Sequence, residues 1–135
     1  FRTLWGSLAN FVTSQVTDFS CLFHSFRGAL DGVEQWNTSN ATSMEYCFFD
    51  AHGLRAESLN QWDVSKVFSM ESIFDGAVNF DGDISEWKPS ACVNFLDALR
   101  YCPARNNPVN VLAIREWGDA SAWVRMFSES DSDLD

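Results

Sequence analysis

The chain is short of positive charge: nine Lys and Arg stand against nineteen Asp and Glu in 135 residues, for a net charge of −10. No cluster of basic residues is present, which argues against nucleic acid or an anionic lipid surface as a partner. Only two His, at 24 and 52, are available for proton transfer or metal ligation. The four Cys, at 21, 47, 92 and 102, make no C-x-x-C pair and no small-disulfide spacing. No apolar run approaches the roughly 20 residues that a bilayer-spanning helix needs, so no transmembrane segment is expected. The chain does not open on Met and shows no signal-peptide pattern, which predicts a processed or partial chain.

What the chain has is aromatic bulk, six Trp and twelve Phe, enough to build one core and to make wholesale disorder untenable. That bulk is periodic. With a reference position called zero, Phe11, Trp36, Trp62, Trp87 and Arg115 follow one another at intervals of 25, 26, 25 and 28 residues. Three residues earlier stand Leu8, Val33, Leu59, Ile84 and Leu112. Three later stand Ser14, Ser39, Ser65, Ser90 and Gly118. Apolar columns recur at plus five, eight, eleven, twelve and fifteen, as in Val67, Met70, Ile73, Phe74 and Ala77. A unit of this size cannot bury its apolar side alone, but stacked units can bury it against each other. The serine column is read as turn chemistry, its hydroxyls bonding nearby backbone.

The apolar spacing within a unit is close to helical, and the segment before it is too short for anything but an extended piece. Asp, Gly and Asn fill the links. These features predict an α/β fold: a short right-handed, leucine-rich-repeat-like solenoid of five coils, each with one strand-like segment and one short helix. It should span residues 1–127, with coils centred on Phe11, Trp36, Trp62, Trp87 and Arg115 and the first four forming a structural spine. Residues 128–135, SESDSDLD, read as a solvated acidic tail.

The columns W62-D-V-S-K-V67, M70-E-S-I-F74, N79-F80 and D83-I-S-E-W87, with W36-N-T-S-N-A-T-S-M44 next to them, resemble the BspA-like leucine-rich-repeat surface proteins, whose Mycoplasma-lipoprotein-type repeat has no assigned activity. The resemblance implies a non-catalytic protein used for adhesion or protein binding, displayed on a cell surface or secreted. The pattern lapses at both ends, where Phe11 and Arg115 replace Trp and residues 100–114 carry an insertion with two prolines. Atypical end units are what caps look like.

Site chemistry is sparse. Cys21, His24, Cys47 and His52 resemble a zinc set on paper, but Cys47 falls in an inward column and Cys21 one position off it, so convergence, and with it a metal, is not expected. Cys47, Cys92 and Cys102 replace aliphatic residues of sister units and read as buried free thiols. Asp75 and Asp81-Gly82-Asp83 match no calcium-loop spacing and read as turn residues. Asn37-Thr38-Ser39 and Asn40-Ala41-Thr42 fit the N-glycosylation acceptor pattern and also arise from the repeat itself. No Gly-rich phosphate loop and no nucleophile with a well-placed His is present, so neither an enzyme nor a cofactor is expected.

The functional signal lies where outward positions abandon the polar rule. At plus six, Thr17 and Thr42 give way to Phe68 and Val93, and at plus nine, Ser20, Glu45 and Glu71 give way to Leu96 and Val124. In a stack these four would form an exposed apolar strip, a partner-binding surface. Phe1 and Trp5 join them as partner-binding candidates, because the aromatic first end would need a cover. The expected partners are proteins, singly or as a large complex. The alternative role is a structural accessory subunit docked on a multi-protein complex, an organellar one peripheral to a membrane being one such setting.

Overall fold

The computed structural model of the protein describes residues 7–127. Successive repeats lie against one another, and the contacts that join them run between residues 22 to 29 apart in sequence. The expected α/β solenoid of five coils, each with one strand and one helix, is overturned. Among the described residues there is no sheet, only four isolated parallel bridges, Asp18↔Ser43, Ser43↔Ser69, Ser69↔Asn94 and Ser58↔Asp83. The α-helices there are α1, Pro108–Arg115, and α2, Ala120–Arg125, both near the end of the chain. Short 3-10 turns occupy Leu8–Asn10, Val33–Gln35 and Pro103–Asn106.

The physical reason is written in the backbone. At plus ten, Cys21, Tyr46, Ser72 and Asp97 all have φ between 51° and 59°, and at plus fourteen Ser25, Asp50, Gly76 and Tyr101 have φ between 54° and 77°. A left-handed residue every fourth position forbids a right-handed helix through the segment that looks helical by side-chain spacing. The amides therefore divide their bonds. In the second unit the N–H groups of Cys47, Phe49 and Ala51 close turns on Met44, Tyr46 and Phe48, three residues back. The alternate ones, of Met44, Tyr46, Phe48 and Asp50, donate instead to Ser69, Glu71, Ile73 and Asp75 of the third unit, at 2.7–3.2 Å. The first unit repeats this onto the second and the third onto the fourth. Each such peptide points its C=O toward the preceding unit and its N–H toward the following one.

The core is threaded through this ladder. Met44, Phe48, Leu59, Val67, Met70, Phe74, Phe80, Ile84 and Leu99 have no exposed surface, and burying each such side chain contributes about 1.5–3 kcal/mol. Rings of adjacent units stack: Trp36 on Trp62 at 6.4 Å and 2° and Phe48 on Phe74 at 5.7 Å and 3°. Each spine indole also donates one unit upstream, Trp36 Nε1 to Leu8 O, Trp62 Nε1 to Val33 O and Trp87 Nε1 to Leu59 O, at 2.7–2.9 Å. Phe11, with no such donor, stacks on Trp36 at 6.4 Å and is 44% exposed.

The last unit differs from the sequence reading by two residues. Arg115 is exposed at the end of α1, and Trp117 is the residue that stacks on Trp87, at 6.1 Å and 21°. Likewise Ile114 is buried where Leu112 is exposed. The proline insertion causes the shift. Asn107 caps α1 by accepting from the Val109 amide, with Pro108 at the first helical position, where its missing N–H is harmless. Buried Asn110 then pins α1 to the fourth unit, accepting from the Ile84 amide and donating to the carbonyls of Gly82 and Ala104. Asp119 caps α2 through the Ala122 amide. The two helices close the downstream end of the stack, with Met126 and Phe127 buried behind them.

Candidate functional site

The four strip residues within the described region all reach the surface: Val93 is 84% exposed, Phe68, Leu96 and Val124 between 38 and 51%. Phe68 and Val93 are direct neighbours, the Val93 amide donating to the Phe68 carbonyl at 3.0 Å and the Phe68 amide to the Thr42 carbonyl at 2.8 Å. Leu96 is paired through its carbonyl with the Ser72 amide, and the Asp97 amide just beyond it donates to Arg125, next to Val124. Phe1 and Trp5 lie outside the described residues.

Upstream, the same columns are polar and tied together. Ser69 donates to Glu45 at 2.6 Å, the Tyr46 hydroxyl to Glu71 at 2.8 Å, and Asn94 to the other Glu71 oxygen at 3.1 Å. Accepting that bond lets the Glu71 carboxylate hold the Tyr46 hydroxyl above its usual range. Along these two columns the surface thus changes from polar in the first two units to apolar by the fourth.

The residues that resembled metal ligands have other occupations. His52 sits between Asp50, at 2.8 Å, and Arg27, at 3.1 Å, with Arg27 also on Asp50 at 2.9 Å. His24 stacks on Phe49 at 4.8 Å. Cys47 is fully buried, and burial raises its thiol well above the usual range, while that of Cys102 is pushed up to about 12. Cys21 is exposed and Cys92 half-buried, and all four thiols are free. Among the described residues no group of three or more His, Cys, Asp or Glu could hold a metal ion. The Asp83 carboxylate accepts from the Ser85 amide in a local turn, whereas the Asp81 carbonyl accepts from the Asn107 side chain 26 residues on.

Two features were not visible in the sequence. Asp75 is buried beside Arg100, 3.7 Å away, and burial pushes its carboxyl up to about 6 against the pull of that guanidinium. Trp117, hidden by the two-residue shift, lines a cleft of about 270 Å³ with Trp87, Pro89 and Glu116, and its buried indole nitrogen has no hydrogen-bond partner among the described residues. The reappearance of Trp two residues past Arg115 was the available signal.

The sequence profile of the family described as Mycoplasma protein of unknown function, DUF285, matches residues 17–135. The chain belongs to this family. The DUF285 match takes in the second to fifth units, the region that holds the strip and most of the regular ladder. A comparison with curated proteins finds no match, and neither does one with solved structures. Among the described residues no helix is long and apolar enough to cross a membrane.

Proposed function

We propose that this DUF285 chain is a non-catalytic module that binds a protein partner through Phe68, Val93, Leu96 and Val124. The observation that carries the reading is the direct pairing of Phe68 with Val93, both exposed, in columns whose earlier members are Thr17 and Thr42. Apolar side chains kept at the surface of a regular ladder, where Thr serves the fold equally well, cost solubility unless a partner covers them. The resemblance of the repeat to BspA-like surface proteins supports a role in adhesion or recognition outside the cell. On that route Asn37 is the acceptor to be glycosylated: it is exposed, whereas the amide nitrogen of Asn40 donates to the Ser14 carbonyl at 2.7 Å.

The test is capture from the source cells with the wild-type chain and with the double variant V93D-L96E. Both positions are exposed, so the variant should fold. A protein retained in fixed ratio by the wild type and lost from the variant supports the reading, and the same retained set for both contradicts it. A second reading, an accessory subunit of a large complex, is favoured by a separate observation: Phe11, Leu22 and Phe26 at the other end are also uncovered, at 40–48% exposure. Recovery of one large assembly rather than a single ligand would decide for it.

A further inference from the structure

Arg27, Asp50 and His52 close a ring of hydrogen bonds between the first two units. Arg27 Nη2 donates to Asp50 Oδ2 at 2.9 Å, Arg27 Nη1 meets His52 Nδ1 at 3.1 Å, and His52 Nε2 lies 2.8 Å from Asp50 Oδ1. A guanidinium has donors only. His52 Nδ1 must therefore accept from Arg27, and the one proton of the neutral imidazole is left to Nε2, which donates it to Asp50. The ring is complete for that form alone. The other neutral tautomer would set an Nδ1 proton against Arg27 and a bare Nε2 lone pair against the Asp50 carboxylate. The imidazolium would keep its bond to Asp50 but turn an N–H and a positive charge on Arg27. Two cations would then compete for one carboxylate.

We infer that this ring is a pH-sensitive latch on the first unit, closed on neutral His52 and opened when His52 Nδ1 takes up a proton. Histidine is the side chain whose ordinary titration lies between about pH 5 and 8. Which partner yields is decided by how firmly each is held. The His52 carbonyl accepts from Asn79 Nδ2 of the third unit at 2.8 Å, and the Asp50 amide donates to the Asp75 carbonyl at 2.7 Å. The side chains of His52 and Asp50 are 33% and 34% exposed, that of Arg27 60%, so Arg27 is the one that swings into solvent. Its departure removes the side-chain tie beside the last rung between these units, where the Phe23 and Ser25 amides donate to the Cys47 and Phe49 carbonyls at 2.7–2.8 Å. The end of the first unit loosens as a result. Asp75 of the third unit, raised by burial to about 6, titrates in the same range, within electrostatic reach of Asp50 and Asp97 and 3.7 Å from Arg100. Its protonation removes a charge near Asp50 but no bond of the ring, so the latch does not depend on it.

The test combines nitrogen-15 spectroscopy of the histidine rings with native-state hydrogen exchange, both on the full chain. At neutral pH the His52 ring should carry its proton on Nε2 and none on Nδ1. Between about pH 7.5 and 5 the protection factor of the Ser25 amide, which corrects for the intrinsic exchange rate, should fall roughly threefold or more relative to that of Phe48. H52Q, whose amide can donate to Asp50 and accept from Arg27 at any pH, should lose this response, and D75N should keep it. A ring protonated on Nδ1 at neutral pH overturns the inference. So does a Ser25 response that is absent from the wild type, unchanged in H52Q or abolished in D75N.

Discussion

The indole nitrogen of Trp62 donates to the carbonyl of Val33 at 2.9 Å, linking the reference position of one unit to the residue that opens the preceding one. Trp36 and Trp87 repeat the bond, and Trp117, buried in the same stack, lacks it. Replacing Trp62 by Phe should cost about 2–4 kcal/mol, from the lost buried hydrogen bond and the volume left behind. W117F removes a donor that has no partner, and should cost no more than about 1 kcal/mol. Urea unfolding of the two variants checks this. Equal losses would mean that the indole bonds do not hold the units together.

Asp75 makes the stability depend on pH in an unusual direction for a carboxylate. Its folded value, about 6, lies above the ordinary 3.8, so the native state holds the proton more tightly than the unfolded one. The resulting stabilisation is full below about pH 4 and is lost as the pH rises through about 6, with an upper bound of roughly 3 kcal/mol. Asp18, Asp63 and Asp83, lowered by hydrogen bonds from Ser20, Ser65 and Ser85, act in the opposite sense. Comparison with D75N isolates the Asp75 contribution: wild type should lose stability relative to D75N between pH 4 and 7. Parallel profiles would contradict this.

Gly53 marks a place where two units approach without room for a side chain. A Cβ built there would stand 1.7 Å from the Gly28 carbonyl oxygen, a backbone atom that cannot swing away. G53A should therefore destabilise by about 2 kcal/mol or more as the units are pushed apart. A melting temperature unchanged by G53A would show that the 28–53 contact is not part of the folded state.

The repeat was legible because burial imposes columns, and the columns at minus three, zero, plus eight, eleven and twelve name most of the fully buried side chains in units two to four. The backbone was not legible. Tyr46, Ser72 and Asp97 carry no mark of their left-handed conformation, which Gly or Asn would have advertised. A spacing of five, eight, eleven, twelve and fifteen suits a helix as well as it suits a turn ribbon whose alternate amides leave the unit. In the last unit the two-residue shift hid Trp117 behind Arg115, since a capped helix had been inserted between the columns. Of the strip, the residue types were readable and their adjacency was not, because it depends on the Phe68–Val93 backbone bond.

The alternating ladder is what joins the units, and scalar couplings transmitted through its hydrogen bonds test it most directly. The amide nitrogens of Tyr46 and Phe48 should couple to the carbonyl carbons of Glu71 and Ile73, one unit downstream, while that of Phe49 couples to Tyr46 within its own unit. Couplings from residues 70–77 to carbonyls four residues back would instead establish a helix there and contradict the account.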